Sequence, residues 1–307
     1  MWDNTPLLVA CHYGHAEMAL MLLERGADPA AVNEQGATAL LFACVEGMEA
    51  VASKLLLNSA TNADPPACMV YSRKTDETSN RTPLQAAAEN GFASGVQKLL
   101  ERGATVSSDA LLLAARRGEA ECCATLLRAL VASGALDIDS GNAVTAAVVP
   151  WLSEALAAAA ARGSEETLRS LCDSSVDGIA AAAASSAGEA LLCACELRGA
   201  DGPARGEGAG VRERIIGFLV DTGAPTGATS AAKGDGNTPL HTAAAKGLIG
   251  VSDLLLAAPV PPPLGALNAA GETPADCAKS AGHEGLAEKL RSGAPAASVA
   301  LLETASA

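Results

Sequence analysis

Aromatic residues supply only 2% of this chain, although hydrophobic residues make up 49%. That ratio excludes wholesale disorder, yet it also argues against a compact core filled by bulky side chains; alanine-rich helices stacked at short range suit it better. Positive charge is scarce as well: 21 Lys and Arg against 35 Asp and Glu give a formal net charge of −14. Binding to nucleic acid or to an anionic membrane needs a basic footprint, so neither is expected as a partner. The N-terminus lacks the basic and apolar regions of a secretory signal. The most apolar segment, Ala143 to Ala161, is broken by Pro150 and by Ser153-Glu154, which argues against a membrane span. Nine cysteines, an odd number without metal-ligand spacing, fit a reducing compartment, so a cytoplasmic location is expected, with a nuclear one also compatible.

What the chain does have is a repeated pattern, clearest from Asp235 to Leu256, DGNTPLHTAAAKGLIGVSDLLL. Thr238 can cap a helix N-terminus, and Pro239 suits the first helical position, where its missing N–H has no partner to lose. Leu240, Ala243 and Ala244 share one face at helical spacing, and the alanines let a neighbouring helix come close. Gly247 can end that helix in the left-handed conformation. Val251, Leu254 and Leu255 then form the apolar stripe of a second helix. The unit resembles the ankyrin repeat, whose signature appears here as Thr238-Pro239-Leu240-His241-Thr242-Ala243-Ala244.

The same register runs along the chain. A first repeat reads Thr5-Pro6-Leu7, Ala10-Cys11, Gly14-His15 and Leu22-Leu23; a second reads Thr38-Ala39-Leu40, Ala43-Cys44, Gly47, Val51 and Leu55-Leu56. Asp64 to Ser79, with Pro65-Pro66 and a polar run, interrupts the period and is expected to loop out. Thr82-Pro83-Leu84, Ala87-Ala88, Gly91 and Leu99-Leu100 give a strong third repeat. The fourth (Leu111, Ala114-Ala115, Gly118, Leu126-Leu127) lacks Thr-Pro, and the fifth (Leu156, Ala159-Ala160, Gly163, Leu168) and sixth (Leu191, Ala194-Cys195, then Ile215-Ile216) are degenerate. A longer connection near 137–153, with a short extra helix ended by Pro150, and a Gly-rich loop near 199–210 separate them. The seventh repeat is the unit above. The eighth, Gly271 to Leu290, turns polar as a terminal cap would. The resemblance implies an all-α fold, an ankyrin-repeat α-solenoid of about eight helix–turn–helix repeats with short β-turn loops. It spans 1–293, with 294–307 as a flexible tail.

Register also decides how the chemically suggestive residues read. Cys11, Cys44 and Cys195 occupy the slot of Ala88, Ala115, Ala160 and Ala244, where cysteine serves as a small apolar residue. Cys122-Cys123 replaces the apolar pair that opens a second helix, and Cys68, in the insertion, is the thiol expected to be exposed. No four ligands converge on a zinc geometry, so no metal or other cofactor is expected. The resemblance implies that His241 ties its turn to the next repeat. His15 and His283 follow helix-ending glycines; only His12 stands at a variable position. Gly206 to Gly210 lacks the strand-to-helix setting and the Lys-Ser/Thr of a phosphate loop, and no nucleophile–base pair is signalled, so an enzyme is not expected.

What remains is surface. Ankyrin repeats grip other proteins with their β-turn tips and the exposed ends of first helices. By register these are His12, Tyr13, Glu46, Glu89, Asn90, Arg116, Arg117, Arg162, Glu196 and Lys246 on helix ends, and Trp2, Arg81, Asp235 and Asn237 on loops. Trp2 and Tyr13 are the strongest anchors on chemical grounds, because aromatic residues dominate interface energetics. The implied function is a non-catalytic, monomeric scaffold or adaptor whose rigid concave face binds another protein. The alternative is a targeting or regulatory arm of a larger enzyme or channel, favoured by a first repeat that opens at Met1-Trp2 with no polar capping repeat before it.

Overall fold

The computed structural model describes residues 4–58, 61, 63, 68–72, 77–132, 148–172, 179–196, 207–229 and 234–292. Its helices come in eight successive pairs, and the chain falls into two compact units, Met1–Leu136 and Asp137–Ala307. In the first unit the pairs are α1 (Pro6–His12) with α2 (Ala16–Glu24), α3 (Ala39–Val45) with α4 (Glu49–Leu57), α5 (Pro83–Glu89) with α6 (Ala93–Glu101), and α7 (Ser108–Arg117) with α8 (Ala120–Ala132). First helices stack on first helices, α1 on α3 on α5 on α7, and second helices on second, α2 on α4 on α6 on α8. Leu7, Leu40, Leu84 and Leu111, one per repeat and in the same register, are buried between the layers.

The start of each first helix follows from its side chains. Thr5, Thr38, Thr82 and Ser107 have extended backbones, and each hydroxyl accepts the N–H three residues on, a bond worth about 1 kcal/mol. Thr82 adds the reciprocal half: Gln85 Oε1 accepts the Thr82 N–H at 3.0 Å. The ends are equally regular. A glycine at positive φ follows α1, α3 and α5, at Gly14, Gly47 and Gly91, and the next N–H reaches back to an alanine carbonyl: His15 to Ala10, Met48 to Ala43, Phe92 to Ala87.

In the second unit the pairs are α9 (Val148–Arg162) with α10 (Glu165–Leu171), α11 (Ile179–Glu196) with α12 (Glu207–Asp221), α13 (Pro239–Ala245) with α14 (Ile249–Leu256), and α15 (Pro274–Ser280) with α16 (Glu284–Ser292). Here α9 packs on α11, α11 on α13 and α13 on α15. The contact of α9 with α11 is the most extensive helix–helix contact among the described residues.

Four expectations change. The 64–79 insertion does not simply loop out: it carries a two-stranded antiparallel sheet, β1 (Cys68–Ser72) with β2 (Glu77–Arg81), Val70 facing Ser79 and Tyr71 facing Thr78. Val70, Tyr71 and Thr78 are strand formers, hidden in the sequence by the prolines and charges around them. Pro150 does not end a short helix; it lies in the first turn of α9, where the N–H it lacks would have had no helical partner. Repeat six starts its first helix at Ile179, well before Leu191, because the alanine run is itself helical. Residues 207–210, assigned to the Gly-rich loop, open α12. Residues 137–147, 199–206 and the 294–307 tail lie outside the described residues.

Candidate partner-binding face

The residue just before the helix-ending glycine is the slot that register marks for partner contact, and the structure shows what such residues touch. Asn90, before Gly91, donates its side-chain amide to the carbonyls of Cys44 (3.0 Å) and Val45 (3.3 Å) in the preceding repeat. Lys246, before Gly247, does the same with Nζ, 3.2 Å from the carbonyl of Cys195. Cys44 and Cys195 hold equivalent positions, so one inter-repeat stitch recurs with two different side chains. Arg117 reaches Glu89 instead, at 2.8 Å, and Arg81, at the end of β2, reaches the same carboxylate at 3.3 Å. Partial desolvation alone would raise the Glu89 pKa. Hydrogen bonds and charge from Arg117 and Arg81 outweigh it and hold the carboxyl below its ordinary range.

The other sites in the first unit are more open. Tyr13 is half exposed, at 50%, with its ring against His12, which also packs edge-on against Phe42 at 5.0 Å. Glu46 is half-buried and Arg116 exposed. Trp2 lies outside the described residues. Arg162 is exposed at the end of α9, in the second unit.

Three of the sequence-derived positions come together. Glu196 at the end of α11, Lys246 after α13 and Asn237 in the turn before α13 line one cavity of about 460 Å³ over the first helices of repeats six to eight. Its floor is Thr242, Ala245, Ser280 and Ala281; its far wall is Asn268 and Glu272 on the loop before α15 and Cys277 on α15 itself. The wall is held by a hydrogen-bond ladder. Asn268 Oδ1 accepts the N–H groups of Ala270 and Glu272, closing its own turn, while its Nδ2 donates to Asn237 Oδ1 at 3.0 Å. Asn237 is tied in turn to Asp235 Oδ2 at 2.9 Å. The same arrangement recurs in the first unit, where Asn33 closes its turn and donates to Asn4 at 2.9 Å. His241 locks the base: Nδ1 accepts the Thr238 N–H at 3.2 Å, so Nε2 donates to the Glu272 carbonyl at 3.1 Å. The histidine stitch between repeats is therefore present as the resemblance implied. Burial, helped by the nearby Glu272 carboxylate, pushes the Cys277 thiol up to about 11.

Sequence reading missed Asn268, Glu272, Cys277 and Ser280. The signal was available: Asn33 and Asn268 both precede a cap threonine, Thr38 and Thr273, by the same offset. The cysteines in the alanine slot, Cys11, Cys44 and Cys195, are buried, and desolvation pushes each thiol up to about 12. Of the Cys68 side chain the structure describes nothing. Among the described residues no group of three His, Cys, Asp or Glu is placed to hold a metal ion, and no helix is long and apolar enough to cross a membrane.

Comparison with known families agrees with this geometry. The model for three ankyrin repeats matches residues 2–67, and the single ankyrin-repeat model matches 235–262. The chain thus carries ankyrin repeats at both places. It is 29% identical over 130 residues to an ankyrin repeat and KH domain-containing protein, mask-1, of Caenorhabditis elegans, covering 41% of this chain and 5% of that protein. It is 38% identical over 97 residues to a probable E3 ubiquitin-protein ligase, XBOS33, of Oryza sativa subsp. japonica, covering 32% of this chain and 17% of that one. The ankyrin-repeat chain thus spans only a small part of these relatives' length. Among solved structures, the ankyrin repeat domain of human ASB11 aligns over 95% of this chain and 100% of its own, at TM-score 0.45 and 23% identity.

Proposed function

We propose that this ankyrin-repeat protein is a non-catalytic cytoplasmic scaffold that holds a protein partner against the first helices of repeats six to eight. The observation that carries the reading is the cavity itself. Glu196, Asn237 and Lys246, chosen by register as contact positions, line it together with small floor residues that leave room for a partner's side chains. Its walls are preorganised by the Asn237–Asn268 and His241–Glu272 bonds, so little ordering entropy is lost when a partner docks. A photo-crosslinking residue at Ala245 should capture a discrete partner that the same group at exposed Ala257, on the second-helix layer, does not. With that partner purified, Ala245→Arg should weaken binding at least about tenfold while the helical circular dichroism stays unchanged. Equal capture from both positions sinks the reading.

One comparison favours a second reading. Because a stretch of this chain is similar to a probable E3 ubiquitin-protein ligase, these repeats would serve as the targeting arm of such an enzyme. A transcript joining them to a catalytic domain supports that; a sequenced full-length transcript without one rejects it.

A further inference from the structure

Repeat seven leaves its second helix differently from repeats one and three. Gly26 and Gly103 follow Gly14 and Gly91 by the same interval as Pro259 follows Gly247, and both have a positive φ. Pro259 cannot adopt that conformation, because its ring holds φ near about −65°. The next residue changes place as well: Ala104 is 6% exposed, whereas Val260 is 76% exposed. The chain then runs Pro261-Pro262-Pro263-Leu264, and the stretch from Pro259 to Asn268 is two residues longer than that from Gly26 to Asn33. A proline fixes its own φ and pushes the residue before it into extended backbone. Val260, Pro261 and Pro262 all precede a proline, so they are held in the polyproline II conformation, and residues 261–263 lie in neither helix nor strand.

This strap is pinned at its back and open in front. Thr226, buried in the preceding loop, donates its hydroxyl to the Val260 carbonyl at 2.7 Å. Pro262 is buried, and a Cβ on Gly227 would come within 3.5 Å of Pro263 Cδ, so the same loop backs the prolines closely. Downstream, the Pro263 carbonyl accepts the Ala266 N–H at 3.1 Å and closes a turn. Pro259, Val260, Pro261 and Pro263 are exposed. Such an edge suits a groove lined with aromatic rings, on which pyrrolidine and valine side chains pack, and a segment already held in polyproline II loses little entropy on docking. Charge narrows the partner. No Lys or Arg lies between Lys246 and Lys279 in the sequence, so a groove with an acidic pocket for a basic flank finds nothing there to pair with. The strap suits a groove that reads prolines through aromatic rings alone.

We propose that Val260-Pro261-Pro262-Pro263 is a docking site for a polyproline-reading domain whose groove is lined with tryptophan and tyrosine, as in WW domains. None of these four residues lines the cavity over repeats six to eight, so this is a second partner surface. The test titrates the full chain into a panel of purified, isotope-labelled WW domains, with a panel of SH3 domains that carry acidic flanking pockets as the other arm. At least one WW domain should bind with a dissociation constant below about 100 μM, its groove tryptophan indole N–H signal moving as it does so. Val260→Asp and Pro261→Ala, both at exposed positions, should each weaken that binding at least about tenfold while circular dichroism and melting temperature stay as in wild type. Val260→Ile keeps the branched apolar side chain and should bind within about twofold of wild type. A WW panel without binding below about 1 mM overturns the proposal. So does binding confined to the SH3 domains, or a Val260→Asp variant that binds as tightly as wild type. Because the readout uses purified domains, its failure leaves the reading of the cavity standing, which the crosslink at Ala245 tests separately.

Discussion

Repeats three and seven set seven-residue first helices between a threonine cap and a positive-φ glycine, whereas repeats five and six use first helices of 15 and 18 residues. A helix shorter than about 12–15 residues is marginal in water, so α5 and α13 depend on what is done at their ends. Both have the complete capping box, Thr82 with Gln85 and Thr238 with His241. The residues before α9 and α11 are Ala147 and Gly178, which have no side-chain oxygen to offer. Length stands in for the caps. Ala157 to Ala161 and Ala180 to Ala184 form helix at the least cost in side-chain entropy, and α9 and α11 lie along one another. One fold is thus stabilised in two ways, by ends in one region and by middles in another.

If ends matter most in the short repeats, breaking one should produce the largest loss. Gly247 has φ +65°, and a Cβ there would meet the His283 ring at 2.5 Å. Gly247→Val therefore combines left-handed strain with a clash against the next repeat, and about 2–4 kcal/mol of stability should be lost. Ala245→Ser, two residues earlier on an exposed helical position, should change stability by less than about 0.5 kcal/mol. Urea unfolding of both variants is the measurement. Similar losses would mean that helix ends are not what holds repeat seven.

Much of this contrast was readable in the residues. The glycine locates the C-terminal end of the first helix in every repeat but the sixth, and Thr-Pro locates its start in repeats one, three, seven and eight, because each motif acts through bonds to backbone within a few positions. The lengths of α9 and α11 were not readable in the same way. Alanine runs carry no amphipathic stripe, so periodicity is silent about where they begin, and only the contact between the two helices shows it. The cavity was half legible: Glu196, Asn237 and Lys246 follow from register. Asn268 and Glu272 required knowing that successive turns hydrogen-bond to each other. Register also marked Asn90, Lys246 and Arg117 as contact positions without revealing that their side chains already reach a neighbouring repeat.

The packed middles can be tested by two glycines of repeat six, one in each of its helices. In α11, a Cβ on Gly188 would lie 2.6 Å from the Ala228 Cβ and 3.0 Å from Pro225, which marks close approach of the following loop. In α12, a Cβ on Gly217 would meet nothing within 4 Å. Gly188→Ala should lose about 1–2 kcal/mol, the clash exceeding the gain in helix propensity. Gly217→Ala should gain about 0.5–1 kcal/mol from propensity alone. Opposite signs in thermal melts would show that close packing governs this region; two gains would place the loop further from α11 than the structure has it.

The smallest effect should come from the electrostatic part of the stitching. Glu89, at the end of α5, sits between Arg81 and Arg117, and its folded pKa lies below its unfolded value of about 4.3. A carboxylate of this kind adds stability that is fully present above the unfolded pKa and disappears as pH falls through the folded one. Glu89→Gln removes the charge at every pH. At neutral pH the variant should be less stable by about 1 kcal/mol or less, because solvent reaches Arg117 and screens the pair. As the pH drops from about 6 to about 3 the wild type loses its advantage. The difference between the two urea midpoints should therefore shrink, while the glycine variants keep theirs. If the gap persists unchanged in acid, the contribution of Glu89 is the packing of its side chain against β2 and α7 and not its charge. The short repeats would then rest on the same packing that holds the long ones.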